Sequence, residues 1–236
     1  MSEDEQRQIL NRLTLNETSL FRTAVAKYLS GEQQDLDTAL GYPTEIKLED
    51  YDLLYERGDI ASRIVNIYPD ECWRATPEVY DSEDADDTPF QHAWRDLLDN
   101  NDLKVLYWLH RLDRLSGVGH YGILVMGFKD DDGNYHEPAS GTKEITYFRV
   151  FKETQVEIPT WIEDPASPKY GWPDIYKVHM KTPKGTIATQ RIHHTRILHV
   201  AEDSNDNMVH GTPRLKTVYN RLLDLRKLRG GSAEMF

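Results

Sequence analysis

Three consecutive pieces decide the reading of this chain: RIHHTRILHV (191–200), AEDSNDNMVHG (201–211) and TPRLKTVYNRLLDLRKLR (212–229). The first groups Ile192, Ile197, Leu198 and Val200 and predicts a β-strand. The second lines up Asp203, Ser204, Asn205, Asp206 and Asn207, which predicts an exposed loop. The third opens on Thr212 as N-cap with Pro213 at the first helical position, where a missing N–H forfeits no bond. Leu215, Val218, Leu222 and Leu225 then recur at helical spacing and give one buried stripe. Arg226, Lys227 and Arg229 suit the negative end of the helix dipole, and Gly230-Gly231 is expected to stop the helix.

Immediately upstream the pattern is strand-like: ITYFRVF from Ile145, then TQVEI, IYKVHM and TIATQRI. Pro159, Pro165, Pro168, Gly171, Pro173, Pro183 and Gly185 punctuate these runs, which predicts an antiparallel sheet or a small sandwich. Before them, Tyr121 to Phe128 reads as a strand whose ILVM core (123–126) lacks polar alternation. Such a strand is buried on both faces, with Ile123 and Val125 fully enclosed between helices and the β-rich half. Asp130-Asp131-Asp132-Gly133 reads as the turn that follows it.

Further toward the N-terminus the periodicity is helical. Asp50 and Asp59 are expected N-caps of helices over 51–57 and 60–67, the second ended by Pro69. A short strand is expected at Glu78 to Tyr80, then an acidic loop over 81–87 and a helix from Pro89 or Phe90 carrying Trp94, Leu97 and Leu98. Asp102 is the expected N-cap of the next helix, which bears Leu103, Leu106, Tyr107, His110 and Arg114. Residues 3–29 read as a helical arm whose broken stripe needs a partner surface. The fold class is therefore α+β: a helical first half and an antiparallel β-rich second half, closing on a helix. The expected domains are an arm over 1–48 and an α+β domain over 49–236.

Composition excludes some functions. A formal net charge of -12 over 236 residues opposes tight general binding to nucleic acid, which needs clustered cations, and opposes docking on anionic lipid. The single cysteine, Cys72, permits no internal disulfide, so packing holds the fold and a reducing compartment is expected. The opening MSEDEQRQ is acidic and polar, unlike a signal peptide, and the apolar run 123–126 is too short to span a membrane.

The nine histidines are the first candidates for chemistry. His193-His194-Thr195 and His210-Gly211-Thr212 are two His-x-Thr triplets, the elements with which 2H phosphoesterases place a general base, a general acid and two phosphate-binding hydroxyls. Here they stand close together in sequence, whereas that family takes them from the two halves of a pseudo-symmetric fold. No His-Glu-x-x-His or paired-cysteine metal motif is present. The Asp130 run lacks the twelfth-position acid of a calcium loop, since residue 141 is Gly. Gly117, Gly119 and Gly122 follow a helix and precede a strand, the reverse of a dinucleotide site, and Ser116 and Ser232 lack the flanks of a nucleophile elbow. No catalytic, cofactor-binding or metal-ligating residue is assigned on this basis. Trp73, Trp161 and Trp172, near the proline-rich breaks, read as packing anchors for the local core, for loops or for subunit contacts.

DLDTALGYP (35–43), YERGDIASRIVNIYPDECWR (55–74), and RIHHTRILHV followed by HGTPRLKTVYNRLLDLRKLRGGSAEMF resemble portal proteins of tailed viruses. The resemblance is to a phage-portal-like group, some of whose members have been described as anti-defence phosphoesterases. Its shared features are a helix before a proline and a Trp-Arg pair (here Trp73-Arg74), a His-x-[Ser/Thr]-Arg element (here His193-His194-Thr195-Arg196, or His194-Thr195-Arg196 without the spacer residue), and Gly-x-Pro-x-Leu (here Gly211 to Leu215). The resemblance implies a structural subunit of a ring, usually of twelve copies, at one capsid vertex. Through that ring DNA passes in packaging and ejection without tight binding, and on it the terminase and head-completion proteins dock beside the major capsid protein. It implies the N-terminal wing portion, without the stem and clip, a place in the virion after assembly in the host cytoplasm, and no enzyme activity or cofactor. A 2H-type phosphoesterase acting on a nucleotide signal and a head–tail adaptor are the alternative readings.

Overall fold

A computed structural model describes residues 40–81, 88–129, 133–141, 143–181, 185–204 and 208–234. The expected arm over 3–29, most of the acidic loop, and the aspartates at 130–132 lie outside the described residues. Residues Lys47–Leu222 form one compact unit. The described parts of a second unit are 40–46 and 223–234. There the Tyr42 hydroxyl donates to the Asp224 carboxylate at 2.7 Å, and Lys227 Nζ donates to the Leu40 carbonyl at 3.1 Å.

Among the described residues there are five α-helices and two antiparallel three-stranded sheets, which bears out the α+β class. The helices are α1 (Leu48–Arg57), α2 (Asp59–Cys72), α3 (Pro89–Asp99), α4 (Val105–Ser116) and α5 (Tyr219–Glu234). The strands are β1 (Gly122–Phe128), β2 (Ile145–Lys152), β3 (Val156–Trp161), β4 (Pro173–Lys181), β5 (Ile187–His193) and β6 (Ile197–Val200). One sheet has the order β2-β1-β6 and the other β3-β4-β5.

β1 is the centre of the fold. As the middle strand of its sheet it is paired on both sides over Gly122 to Val125, and side chains alternate between its two faces. Ile123 and Val125, at 0% and 3% exposure, pack with Tyr121, Phe151, Val156, Tyr176, Val178 and Ile192, the layer shared with the second sheet. Leu124 turns the other way and packs with Leu103, Val105, Leu112 and Phe148, beneath α4. The continuous apolar run is therefore a strand between two apolar layers, as expected.

The quoted stretch 191–200 is not one strand. A 3-10 turn, His194–Arg196, divides it into β5 of one sheet and β6 of the other. Glu153–Gln155 is a second such turn, taking the chain from β2 into β3. Each change of sheet is thus made by three residues in a tight turn, which hydrophobic periodicity does not register.

Several expected boundaries move, each for a local reason. Asp50 does not cap α1; it stands inside the first turn and its side chain accepts from the Lys47 N–H at 3.1 Å. Asp59 is the first residue of α2, with Gly58 as its N-cap. Pro69 does not end α2, which continues to Cys72. Residues 78–80 form no strand. Asn100, not Asp102, closes the turn before α4, its Oδ1 accepting from the N–H groups of Asp102 and Leu103. Lys104 then takes a left-handed conformation at φ 48°, and Leu103 falls outside the helix. Thr212 and Pro213 do not start the last helix. The Thr212 hydroxyl donates to the Asp203 carbonyl at 3.0 Å, a 3-10 turn spans Lys216–Val218, and α5 begins at Tyr219. α5 also runs through Gly230-Gly231, since a glycine costs a helix only about 1 kcal/mol relative to alanine.

Candidate functional site

The loop between β6 and α5 is anchored by Arg214. Its Nε donates to Glu202 Oε2 at 2.8 Å, its Nη2 to Asp113 Oδ1 at 2.8 Å and to Glu202 Oε1, and its Nη1 to the Val65 carbonyl at 2.5 Å. One planar guanidinium thus joins the end of β6, α4 and α2, a geometry that suits arginine and no other cation.

The Val65 carbonyl is available because of Pro69. In an α-helix the N–H of residue 69 would bond that carbonyl, and proline has none. The arginine supplies the missing donor, so the proline inside α2 creates an acceptor rather than a helix end. Trp73 completes the group, its indole N–H donating to Asp113 Oδ2 at 2.8 Å. Burial pushes the Glu202 carboxyl up from its usual range, and Asp113 pushes it the same way, against the pull of Arg214.

Two glycines make this approach possible. A Cβ on Gly117 would lie 2.6 Å from the Arg214 side chain, and one on Gly211 would lie 1.9 Å from the Glu202 carbonyl oxygen. Gly211 N–H donates to the His120 carbonyl and Thr212 N–H to the Glu202 carbonyl, while Pro213 and Leu215 are fully buried. The Gly-x-Pro-x-Leu element is therefore a packing junction.

The two histidine triplets have different surroundings. His193 lies with His194, their rings 4.2 Å apart, and faces Asp174 on β4. His210 lies beside His120, Tyr121 and Trp161. The hydroxyls that a phosphoesterase would turn on phosphate are engaged: Thr195 Oγ1 accepts from the Ala139 N–H at 2.8 Å and meets His193 Nδ1 at 2.9 Å, and Thr212 serves Asp203. Arg196, only 3% exposed, lies over the rings of Phe128 and Tyr135 and donates to the Glu137 carbonyl. The His-x-Thr-Arg element thus pins the loop before β2 onto the corner between the sheets.

Sequence reasoning missed two things here. Asp174 comes beside His193 only through the β4–β5 register, which pairs Ile175 with His193. His199 is half-buried against the core: it stacks on Tyr121, meets the Tyr176 hydroxyl at 3.1 Å, and bonds the Val209 carbonyl at 2.7 Å. Burial pushes its pKa down and pushes those of Tyr121 and Tyr176 up. Its place on a strand beside apolar neighbours was the available signal.

Comparison with known proteins gives the class. A family model described as phage portal protein matches residues 49–236, and the chain belongs to that family. The match takes in every helix and strand described above, α1 from its second residue onward. A structural role of portal type follows, with the general properties of the family: a place in the virion capsid and association in an oligomeric ring. No curated protein is matched by the chain.

Proposed function

We propose that this chain is a subunit of the ring, of about twelve copies, that sits at one capsid vertex of a tailed phage. The ring admits DNA during packaging and lets it out at ejection, and the terminase and head-completion proteins dock on it. The observation that carries this reading is the family match over 49–236, which takes in the whole of the Arg214 junction. The net charge of -12 supports a ring that lets DNA slide past without gripping its phosphates. Lys227, one of the few clustered cations, is engaged by the Leu40 carbonyl and lies over the Tyr42 ring.

The phosphoesterase reading makes the opposite demand on His210. His210→Ala leaves ring assembly intact if the role is structural, and abolishes hydrolysis of a nucleotide substrate if it is catalytic. Electron microscopy of the purified variant, beside a phosphate-release assay of the parent, tests this. Nucleotide hydrolysis by the parent that is lost in the variant would contradict the proposal.

A further inference from the structure

The corner between β5 and β6 brings together three donors that the portal role leaves without a task. His193 ends β5, His194 opens the 3-10 turn, and Asp174 stands near the start of β4. His193 Nε2 lies 3.5 Å from Asp174 Oδ1, and His194 Nδ1 lies 3.4 Å from the same oxygen. All three donor atoms lie within 4.8 Å of one another. These separations are long for hydrogen bonds. They match the edge of a coordination tetrahedron: donors bound at about 2.0–2.1 Å stand roughly 3.3–3.4 Å apart.

A second, independent observation points the same way. His194 Nδ1 is buried and has no hydrogen-bond partner. A buried polar atom left so calls for an explanation, and an ion that takes its lone pair supplies one. The outer support is also in place. His193 Nδ1 accepts from the Thr195 backbone N–H at 3.2 Å and meets Thr195 Oγ1, itself fixed by the Ala139 N–H, at 2.9 Å, so the ring's orientation toward Asp174 is held from its other edge.

We propose that Asp174, His193 and His194 bind one divalent transition-metal ion. Two imidazoles and one carboxylate suit zinc and its neighbours rather than magnesium or calcium. Asp174, with 38% of its side chain exposed, marks the open side, where water or another molecule completes the fourth position. The ion ties β4 of one sheet to the turn by which the chain crosses into the other, and acts as a staple at that corner.

The test uses the full chain, stripped with chelator and titrated with cobalt chloride and then zinc chloride. The parent takes up one equivalent of cobalt with visible d–d absorption. Zinc displaces it and raises the melting temperature, and chelator reverses the rise. Asp174→Asn and His194→Ala each weaken cobalt binding at least tenfold and lose the zinc shift, while far-UV circular dichroism stays that of the parent. His179→Ala, a histidine elsewhere on β4, changes neither. Should one of the two ligand variants fail to fold, the other carries the same comparison. Absence of saturable cobalt uptake by the parent, or uptake by the ligand variants equal to it, overturns the site.

Discussion

Pro69 and Arg214 act as a pair: one removes a donor from α2 and the other replaces it from a distant loop. Arg214→Ala leaves Glu202 and Asp113 facing each other without their cation and the Val65 carbonyl without a partner. A loss of about 3 kcal/mol is expected in urea denaturation, the lower end for breaking a buried ion pair, because both carboxylates retain some exposure. Arg214→Lys restores only part, since an ammonium cannot reach three elements in one plane. Pro69→Ala gives Val65 a helical donor and displaces the arginine, so the two substitutions couple by about 0.5–3 kcal/mol in a double-mutant cycle. Strict additivity would contradict the link. None of this was legible beforehand. Pro69 carried the signal of a helix stop, and only the fold shows what took the place of its N–H.

His199 and His193 set a pH dependence at the same scale. Burial holds both below the ordinary histidine value of 6.5, with the Val209 carbonyl partly offsetting this at His199. His199 faces Tyr121, Tyr176 and His210; His193 faces Asp174, His194 and Arg196. Unfolded, each takes a proton near 6.5; folded, each takes one only at lower pH. In that window the unfolded chain binds more protons, so stability rises with pH and is lost as the pH falls below 6.5. Asp70, held low by Arg114, acts in a lower window, beneath 3.8. Glu202 runs the other way: raised by burial, its contribution is present below 4.5 and fades as pH rises through its folded value. Melting temperatures from pH 7.5 to 5 are therefore expected to fall, and His199→Gln to flatten the fall. An unchanged slope in that variant would remove His199 as a cause.

At the scale of elements, β1 is where sequence and structure agree most closely. The apolar run without alternation, entered through glycines, reads as a strand covered on both sides, and Ile123, Leu124 and Val125 divide between the two covering layers. Val125→Asp places an unpaired carboxylate among Phe151, Tyr176 and Ile192. It is expected to cost several kcal/mol, seen as insoluble expression or a large drop in melting temperature. Parent-like expression and melting would contradict the layer assignment. The corner at His194–Arg196 was not legible for the converse reason. Ile192 and Ile197 continue the apolar character of a strand across it, and nothing in residue type marks a three-residue 3-10 turn. Asp174 stayed hidden for a related reason: strand register, not sequence spacing, brings it to His193. The helix starts failed at Thr212 and Asp102 because nearby polar groups, Asp203 and Asn100, took the hydrogen bonds that the caps were expected to make or receive.

At the scale of the whole molecule, the proposed role is that of a ring subunit that surrounds DNA without gripping it. Fluorescence anisotropy with a labelled duplex is expected to give a dissociation constant in or above the non-specific range of roughly 10⁻⁴–10⁻⁶ M at physiological salt, as an acidic chain of net charge -12 requires. Nanomolar binding with a steep salt slope would reveal a phosphate-contacting surface. The most direct measurement of the central claim is the native mass of the purified particle, taken over a range of protein concentrations. The account predicts a closed assembly of one discrete copy number, about twelve. A chain that stays monomeric at every concentration and hydrolyses a nucleotide would contradict it.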